Sequence, residues 1–598
     1  MAGQSRTPRN DRGGRSTARF TANSAADSFE RYVSRGSNRA FVVVVVFLAL
    51  AALFFVRLVY LQVIMAPQYS AQAQESRTIG FVVEPRRGTI YDRNGHILAI
   101  SVDATTVYAN PSEIKEPGAT ARAIAEVLGG TAQDYLDALS QGESSTFTFV
   151  KRKVDNDLAE QLREQDLPGI YFIEETRREY PYGQTGGQVI GACSIAVDEE
   201  NNREYYDGIC GLELYYNTIL SGTPGYYEAE VGADGTPIPG GVHESKHAIE
   251  GQDIVVSIDI EFQAEVEQAL KEGVERVGVN KGSAVVMDAD TGEIFAAASS
   301  PFFNPADRSK VEEGSMQLTA MTNLFEPGSI FKTVSATAIL EEGTMTPDTE
   351  VVVPEYIEAD GYIVSDAHDH EQVTWTLRTI MNVSSNIGIS LSVEKYLGFQ
   401  KFYDAILRYR LNELSGVDYP GEQIGYLLDF DYWSRVQGYN VTFGQGISLT
   451  PLQILNFYAA LVADGVQPTP HFLLRKPQTG EVPEYEHYRI IDNTQAIAPV
   501  TSMLQTVVTD GTGTDAAIEG YDVAGKTSTA EIFEEGGGYR DDAVNLGFAG
   551  FIANSNSRFV CFVGANEVPA DRKVGSIFHD IMSAAISRYN IVSTASDE

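Results

Sequence analysis

The sequence predicts an α+β chain, membrane-anchored by one N-terminal helix, in which an extended β-rich pedestal precedes a domain built from one antiparallel sheet with packed helices. Three observations predict it. A run of 17 uncharged residues, "AFVVVVVFLALAALFFV" from Ala40 to Val56, follows a basic segment. Short β-like runs rich in Gly, Tyr and acids fill the region that follows, to about residue 250. Beyond it, two strand-like runs come early, helical periodicity in the middle and three strand-like runs late, so both ends of that domain meet in one sheet. At 598 residues the chain is too long for one ordinary core.

Residues 1–39 carry eight Arg, no Lys and three acids among many Gly, Ser and Thr, which predicts a disordered basic tail. Residues 40–65 are the anchor, because apolar character continues past Arg57 through "LVYLQVIM" to Met65. Seventeen helical residues span about 25 Å, and Arg57, near the far end, can snorkel outward. Arginines before the span and an acidic chain after it place the N-terminus in the cytoplasm and nearly all of the mass outside the cell membrane. A cleaved signal peptide is the rival reading, since Ala71-Gln72-Ala73 has the small-x-small form. The apolar region is too long for one, and the site lies well beyond it, which favours an uncleaved single-pass anchor. A net charge of −38 argues against nucleic acid, whose phosphates need a basic footprint.

The pedestal spans 66–250 and shows no internal repeat; "GGVHESKHAIEGQD" reads as the connector to a domain at 251–590, with a short tail at 591–598. Cys193 and Cys210 fall in one neighbourhood, either paired or reduced, and Cys561 lies far away in a strand-like run. Three cysteines make no disulfide framework. In the C-terminal domain "IVVSIDIEFQAEVEQALKEGVERV" predicts a strand and an amphipathic helix, with Phe262, Val266 and Leu270 at helical spacing. "SAVVMDADTGEIFAAASS" predicts a hairpin, residues 325–460 are mainly helical, and "YDVAGKTSTAEIF", "NLGFAGFIA" and "RFVCFVGA" are the closing strands.

Ser-x-x-Lys, a nucleophile with a base one helical turn away, occurs three times. Ser112–Lys115 sits between prolines with no apolar stripe to bury it, and Lys395 of Ser392–Lys395 reads as a solvated cation late in a helix. Ser329–Lys332 differs. Pro327-Gly328 breaks the chain, and Ile330, Phe331, Val334 and Ala338 then form an apolar face up to a stop at Gly343. Ser329 therefore starts a buried helix, where free N–H groups favour developing negative charge. Lys332 shares its side and takes the serine proton only if burial or a second cation keeps it partly neutral. A capping serine followed by a surface lysine fits the same residues. "MNVSSNIGIS" supplies Ser384-Ser385-Asn386 between two helical stretches, and "VAGKTSTAE" puts Lys526, Thr527, Ser528 and Thr529 on a strand able to pair with an extended peptide while its lysine meets a carboxylate.

Ser-x-x-Lys, a Ser-x-Asn triplet and a Lys-Thr-Gly strand in this chain order are the signature set of penicillin-binding proteins and class A β-lactamases. With them stand "RRGTIYDRNGHILA" (86–99), "RREYP" (177–181), "GLELYYNTILSGTPG" (211–225), "YNVTFGQGISLTPLQI" and "VVTDGTGTDAAIEGYDVAGKT". From the anchor to about residue 590 the chain resembles a class B penicillin-binding protein, a monofunctional peptidoglycan D,D-transpeptidase. "LSGVDYPGEQIG" and the lack of C-terminal repeat modules make it similar to division-type members.

The resemblance implies that Ser329 attacks the carbonyl of a D-Ala-D-Ala stem peptide, and Lys332 takes its proton. Ser384 and Asn386 complete the proton network and hold the peptide amide. Lys526 and Thr527 orient the terminal carboxylate, while the backbone N–H groups of Ser329 and Thr529 form the oxyanion hole. It further implies inhibition by β-lactams, no metal or other cofactor, and a polytopic glycosyltransferase and division proteins as partners.

One residue departs from the pattern: the family's third strand motif ends in Gly, and here Ser528 stands in its place. A side chain there is expected to narrow the groove, tune β-lactam affinity or impair the chemistry. "SDAHDHE", with Asp366, His368, Asp369, His370 and Glu371, is dense enough in acids and histidines to bind zinc, and equally fits a polar surface loop. Two other functions compete: a catalytically impaired wall-assembly scaffold of the same fold, and a β-lactam-hydrolysing or -sensing relative. Reaction with a β-lactam separates them, because only an activated serine acylates.

Overall fold

The computed structural model describes residues 23–69, 78–140, 146–198, 203–231, 237–533 and 539–594. Two compact units emerge: residues 1–81 with 226–246, and residues 82–225 with 247–598.

The first unit holds a helix, Asn23–Val59, that runs into a wider turn at Tyr60–Ile64. Ala40–Ile64 is the one segment among the described residues long and apolar enough to cross a membrane. Its 25 residues extend about 37 Å, more than a bilayer core. The predicted disordered tail 1–39 needs correction, since the helix already includes Asn23 to Arg39. Once the apolar run nucleates a helix, each residue added upstream costs little. Residues 1–22 of that tail, the Ala71-Gln72-Ala73 site and residues 595–598 lie outside the described residues. The unit also contains a three-stranded sheet with Gly225–Val231 between Thr78–Val83 and Pro237–Lys246. The first half of the "GGVHESKHAIEGQD" segment read as a connector, residues 240–246, is therefore strand.

In the second unit, the long strand Ile97–Ala109 pairs with Thr148–Val154 and Ile170–Glu179, and helices Pro117–Leu128, Ala132–Leu139 and Asn156–Arg163 cover it. Ile124, Leu139, Val107 and Leu162 form their small core. The same sheet continues through Ile90–Tyr91 and Ile254–Val256 to Leu473–Arg475, so the N-terminal and C-terminal parts of this unit share backbone hydrogen bonds.

A buried charge cluster locks the boxes of the N-terminal part. Glu213 accepts from Arg87 Nε at 2.6 Å and from Arg178 Nε at 2.7 Å. Arg87 also donates to the Glu213 carbonyl, and Arg178 to the Gly88 carbonyl. Burial alone pushes the Glu213 carboxyl up, but Arg178 and Arg87 outweigh it and hold it below the usual carboxylate range. Cys193 and Cys210 are free thiols. Cys193 hydrogen-bonds Glu213, whereas Cys210 packs with Ala192 and Phe303, so the two point to different neighbours.

The C-terminal sheet has five antiparallel strands in the order Ile294–Ser300, Gly282–Asp288, Phe559–Val568, Tyr539–Ala553, Asp522–Phe533. Its first two strands come from the start of the domain and three from its end, as the sequence predicts. Strand alternation divides the side chains between two cores. Ala284, Val286 and Phe548 face helices Ile260–Arg276 and Gly575–Tyr589, while Val285, Met287 and Ala549 face a larger helical layer. Asp259 caps the first of those helices, accepting from the Glu261 and Phe262 N–H groups. Between the helices of 325–460 sit three small antiparallel pairings, Glu350–Val353 with Val373–Thr376, Ile357–Ala359 with Tyr362–Val364 and Tyr426–Leu427 with Ile447–Ser448, which the mainly helical reading passed over.

Candidate active site

Lys332–Glu341 is buried on nearly every side, beyond the apolar face expected of it, and its buried Thr333, Ser335 and Thr337 hydroxyls are hydrogen-bonded to the Tyr458 hydroxyl, the Thr442 carbonyl and the Thr333 carbonyl. Residues Gly328–Phe331 form a tight helical turn ahead of it, with Ser329 half-buried on that turn. Gly328 adopts φ +53°, and a Cβ there would lie 2.7 Å from Ser528 Oγ. Only glycine suits both demands. Gly444 packs its backbone on the same turn: a Cβ would sit 2.3 Å from the Gly328 carbonyl oxygen, and Gly328 N–H donates to Gly444 O.

Three distant pieces of chain converge here. Ser384 ends helix Leu377–Val383 in the left-handed region, at φ +60°, ψ +41°. That conformation costs a non-glycine residue about 1–3 kcal/mol. It brings the Ser384 hydroxyl to within 2.9 Å of Ser329 Oγ, to which it donates. Lys332 Nζ donates to the Ser384 carbonyl, to Ser384 Oγ at 3.2 Å and to Asn386 Oδ1 at 2.7 Å. Lys526 Nζ reaches the same Ser384 Oγ at 3.1 Å from the sheet's edge strand. Among the described residues no hydrogen bond joins Lys332 directly to Ser329; the Ser384 hydroxyl stands between them.

The electrostatics follow from burial. Both ammonium groups are fully buried. Desolvation, then the neighbouring Lys526, push Lys332 well below the ordinary lysine range, with Asp366 pulling modestly the other way. Desolvation alone lowers Lys526 to about 7. Burial therefore shifts both lysines toward the neutral form, whose lone pair a general base needs.

Lys526 also donates to the Thr527 hydroxyl at 3.3 Å, and Thr527 shares a 2.7 Å hydrogen bond with Thr512 of the "DGTGT" box. Thr529 is exposed on the edge strand. Ser528 does not narrow the groove: its buried side chain turns inward and donates to the Pro327 carbonyl at 2.6 Å. Strand alternation puts Lys526 and Ser528 on one face, toward the nucleophile turn.

The other two Ser-x-x-Lys pairs stay apart from this cleft. Ser112 is exposed on a short turn and bonds Asn110, while Ser392 donates back to the Gly388 carbonyl within its helix. The "SDAHDHE" group gathers no metal-ligand cluster among the described residues. Asp366 instead accepts from Ser385 Oγ, Ile387 N–H and His370 Nε2, a role the sequence did not suggest because nothing local links residue 366 to 385.

The sequence profile of the penicillin binding protein transpeptidase domain matches residues 282–583, and that of the penicillin-binding protein dimerisation domain matches 82–256. The chain is 30% identical to the penicillin-binding protein PbpB of Mycobacterium tuberculosis, over 93% of this chain and 85% of that protein. It is 29% identical to the peptidoglycan D,D-transpeptidase FtsI of Escherichia coli K12, over 90% and 89%. Among solved structures, penicillin binding protein 3 of Mycobacterium tuberculosis complexed with aztreonam aligns at a TM-score of 0.65 and 27% identity, covering 86% of this chain and 98% of that one. An N-terminal anchor-length helix, a dimerisation domain and a transpeptidase domain with Ser329 beside two buried lysines therefore make this chain a member of the class B, division-type penicillin-binding proteins.

Proposed function

We propose that the chain crosslinks peptidoglycan stem peptides through an acyl-enzyme on Ser329. The observation that carries this reading is the relay Ser329 Oγ–Ser384 Oγ–Lys332 Nζ, flanked by Lys526. The donor stem lies along the exposed edge of Asp522–Phe533, and its terminal carboxylate pairs with Lys526 and the Thr527 hydroxyl. Ser329 Oγ attacks the penultimate D-Ala carbonyl. Its proton passes to Ser384 while the Ser384 proton moves to neutral Lys332, since a hydroxyl both donates and accepts. The oxyanion meets the backbone N–H groups of Ser329 and Thr529. Collapse breaks the C–N bond, Lys332 returns the proton to the departing D-Ala amine, and an ester to Ser329 remains. The amine of a neighbouring stem attacks that ester, its proton returns to Ser329 through the same relay, and the crosslink is made. Asn386 holds Lys332 and the stem amide.

β-Lactams enter as substrates whose ester stays on Ser329. Eight arginines ahead of the anchor support a cytoplasmic N-terminus with the cleft outside the membrane. Similarity to FtsI and PbpB supports a septal role, with a polytopic glycosyltransferase and division proteins as partners of the anchor and pedestal.

The test is to incubate detergent-solubilised protein with a fluorescent penicillin and map the modified peptide. Stable label on Ser329, lost in Ser329→Ala, is expected. No label at saturating drug would favour a scaffold, and label followed by fast release a hydrolase; either result overturns the reading.

A further inference from the structure

Ser384 holds a backbone conformation that few non-glycine residues adopt, so something must impose it. The surroundings do so through the two loop residues Ser365 and Asp366. Ser385 Oγ donates to Asp366 Oδ2 at 2.6 Å and Ile387 N–H to Asp366 Oδ1 at 2.9 Å. Asn386 Nδ2 donates to the Ser365 carbonyl at 3.0 Å. The three residues after Ser384 are thus each tied to this pair, and the last bond turns Asn386 Oδ1 toward Lys332.

His370 closes the loop. Its Nε2 faces Asp366 Oδ2 at 3.0 Å and its Nδ1 faces the Glu371 carbonyl at 2.7 Å. Both partners are acceptors, so the ring satisfies both only as the imidazolium, donating from each nitrogen. The side chain is 14% exposed and its ring packs against Trp375, centroids 4.9 Å apart. Trp375 belongs to the strand paired with Glu350–Val353, which anchors the loop from outside. The charged groups facing His370 are Asp366 and, farther off, Glu355. Those facing Asp366 are His370 and the buried Lys332.

Resting on the transpeptidase reading of the site, we infer that Asp366 and His370 are a positioning pair for the Ser384-Ser385-Asn386 motif. Asp366 favours the charged form of Lys332, while burial and Lys526 oppose it. The Glu371 carbonyl, and then Asp366, raise His370 above its ordinary value. The brace is complete while His370 is protonated and loosens as pH rises through that raised value.

The test measures the acylation rate constant with a fluorescent penicillin from pH 5 to 9, alongside thermal unfolding, in wild type, Asp366→Asn, His370→Ala and His370→Gln. Asp366→Asn should acylate about 100-fold more slowly, as a displaced catalytic group does. His370→Ala should be impaired most at low pH and approach wild type at pH 9. His370→Gln, which keeps one donor toward Asp366, should recover much of the loss. An Asp366→Asn variant that acylates at the wild-type rate overturns the positioning role of Asp366. A pH-independent deficit in His370→Ala overturns the positioning pair. Wild type that labels normally while the variants match it sinks this inference alone; wild type that never labels sinks the transpeptidase reading as well.

Discussion

Among the places where this protein buries ionisable groups, two do it in opposite ways. In the pedestal, Glu213 is clasped by Arg87 and Arg178, opposite charges with near-ideal geometry. In the cleft, Lys332 and Lys526 are buried side by side, like charges that share one serine hydroxyl. Glu213 is driven toward its charged form, both lysines toward their neutral one. Compensated burial holds a shape, whereas uncompensated burial stores a reactive lone pair at a stability cost.

The pH signs follow. The folded pKa of Glu213 is depressed, so its stabilisation is fully present above the unfolded carboxylate value of 4.5 and is lost as pH falls through its lower folded value. Lys526, lowered from 10.5 to about 7, is a group the folded state deprotonates, so its burial costs most below about pH 7, and the cost recedes toward pH 10.5. At neutral pH one cluster adds stability and the other subtracts it.

The largest expected break in this contrast is Lys332→Met. Acylation of Ser329 should fall about 10³-fold, the scale of a lost general base, while the thermal midpoint holds or rises. Penicillin labelling and calorimetry on the same sample read both. A joint fall in rate and stability would mean that the lysine is structural. The pedestal cluster should respond the other way: Glu213→Gln leaves two buried guanidinium groups without their anion and should cost about 3–5 kcal/mol in chemical denaturation. Acylation per folded molecule should stay unchanged, and a matching loss of rate would tie the cluster to the chemistry. The smallest effect belongs to Ser528, whose inward hydroxyl clamps the Pro327 carbonyl. Ser528→Ala should lose about 1 kcal/mol, with a few-fold slower acylation. A faster rate would show that the serine does obstruct the cleft.

Much of this was legible in the chain itself. The strand-like apolar runs at both ends of the C-terminal domain announced its antiparallel sheet, and the company of Ser329 singled out one Ser-x-x-Lys among three. What escaped were features decided by tertiary contact. Strand 237–246 looked like a connector because its Gly, His and acids have weak β propensity until a neighbour pairs with them. The Asp366 loop invited a metal reading because its partners, Ser385 and Ile387, lie some twenty positions away. The direction of Ser528 depends on which face of the strand meets Pro327, which motif spelling alone does not reveal. Spacing put Lys332 on the side of Ser329, yet the serine that bridges them comes from another helix end.

The central claim is that burial beside Lys526 shifts Lys332 toward its neutral form before a substrate arrives. Its most direct test is the wild-type pH profile of Ser329 acylation by a β-lactam. An acid limb that is complete well below the ordinary lysine value of about 10.4 is what the buried pair predicts. A rate still climbing through pH 9 would contradict it, because the base would then be a lysine of unperturbed basicity.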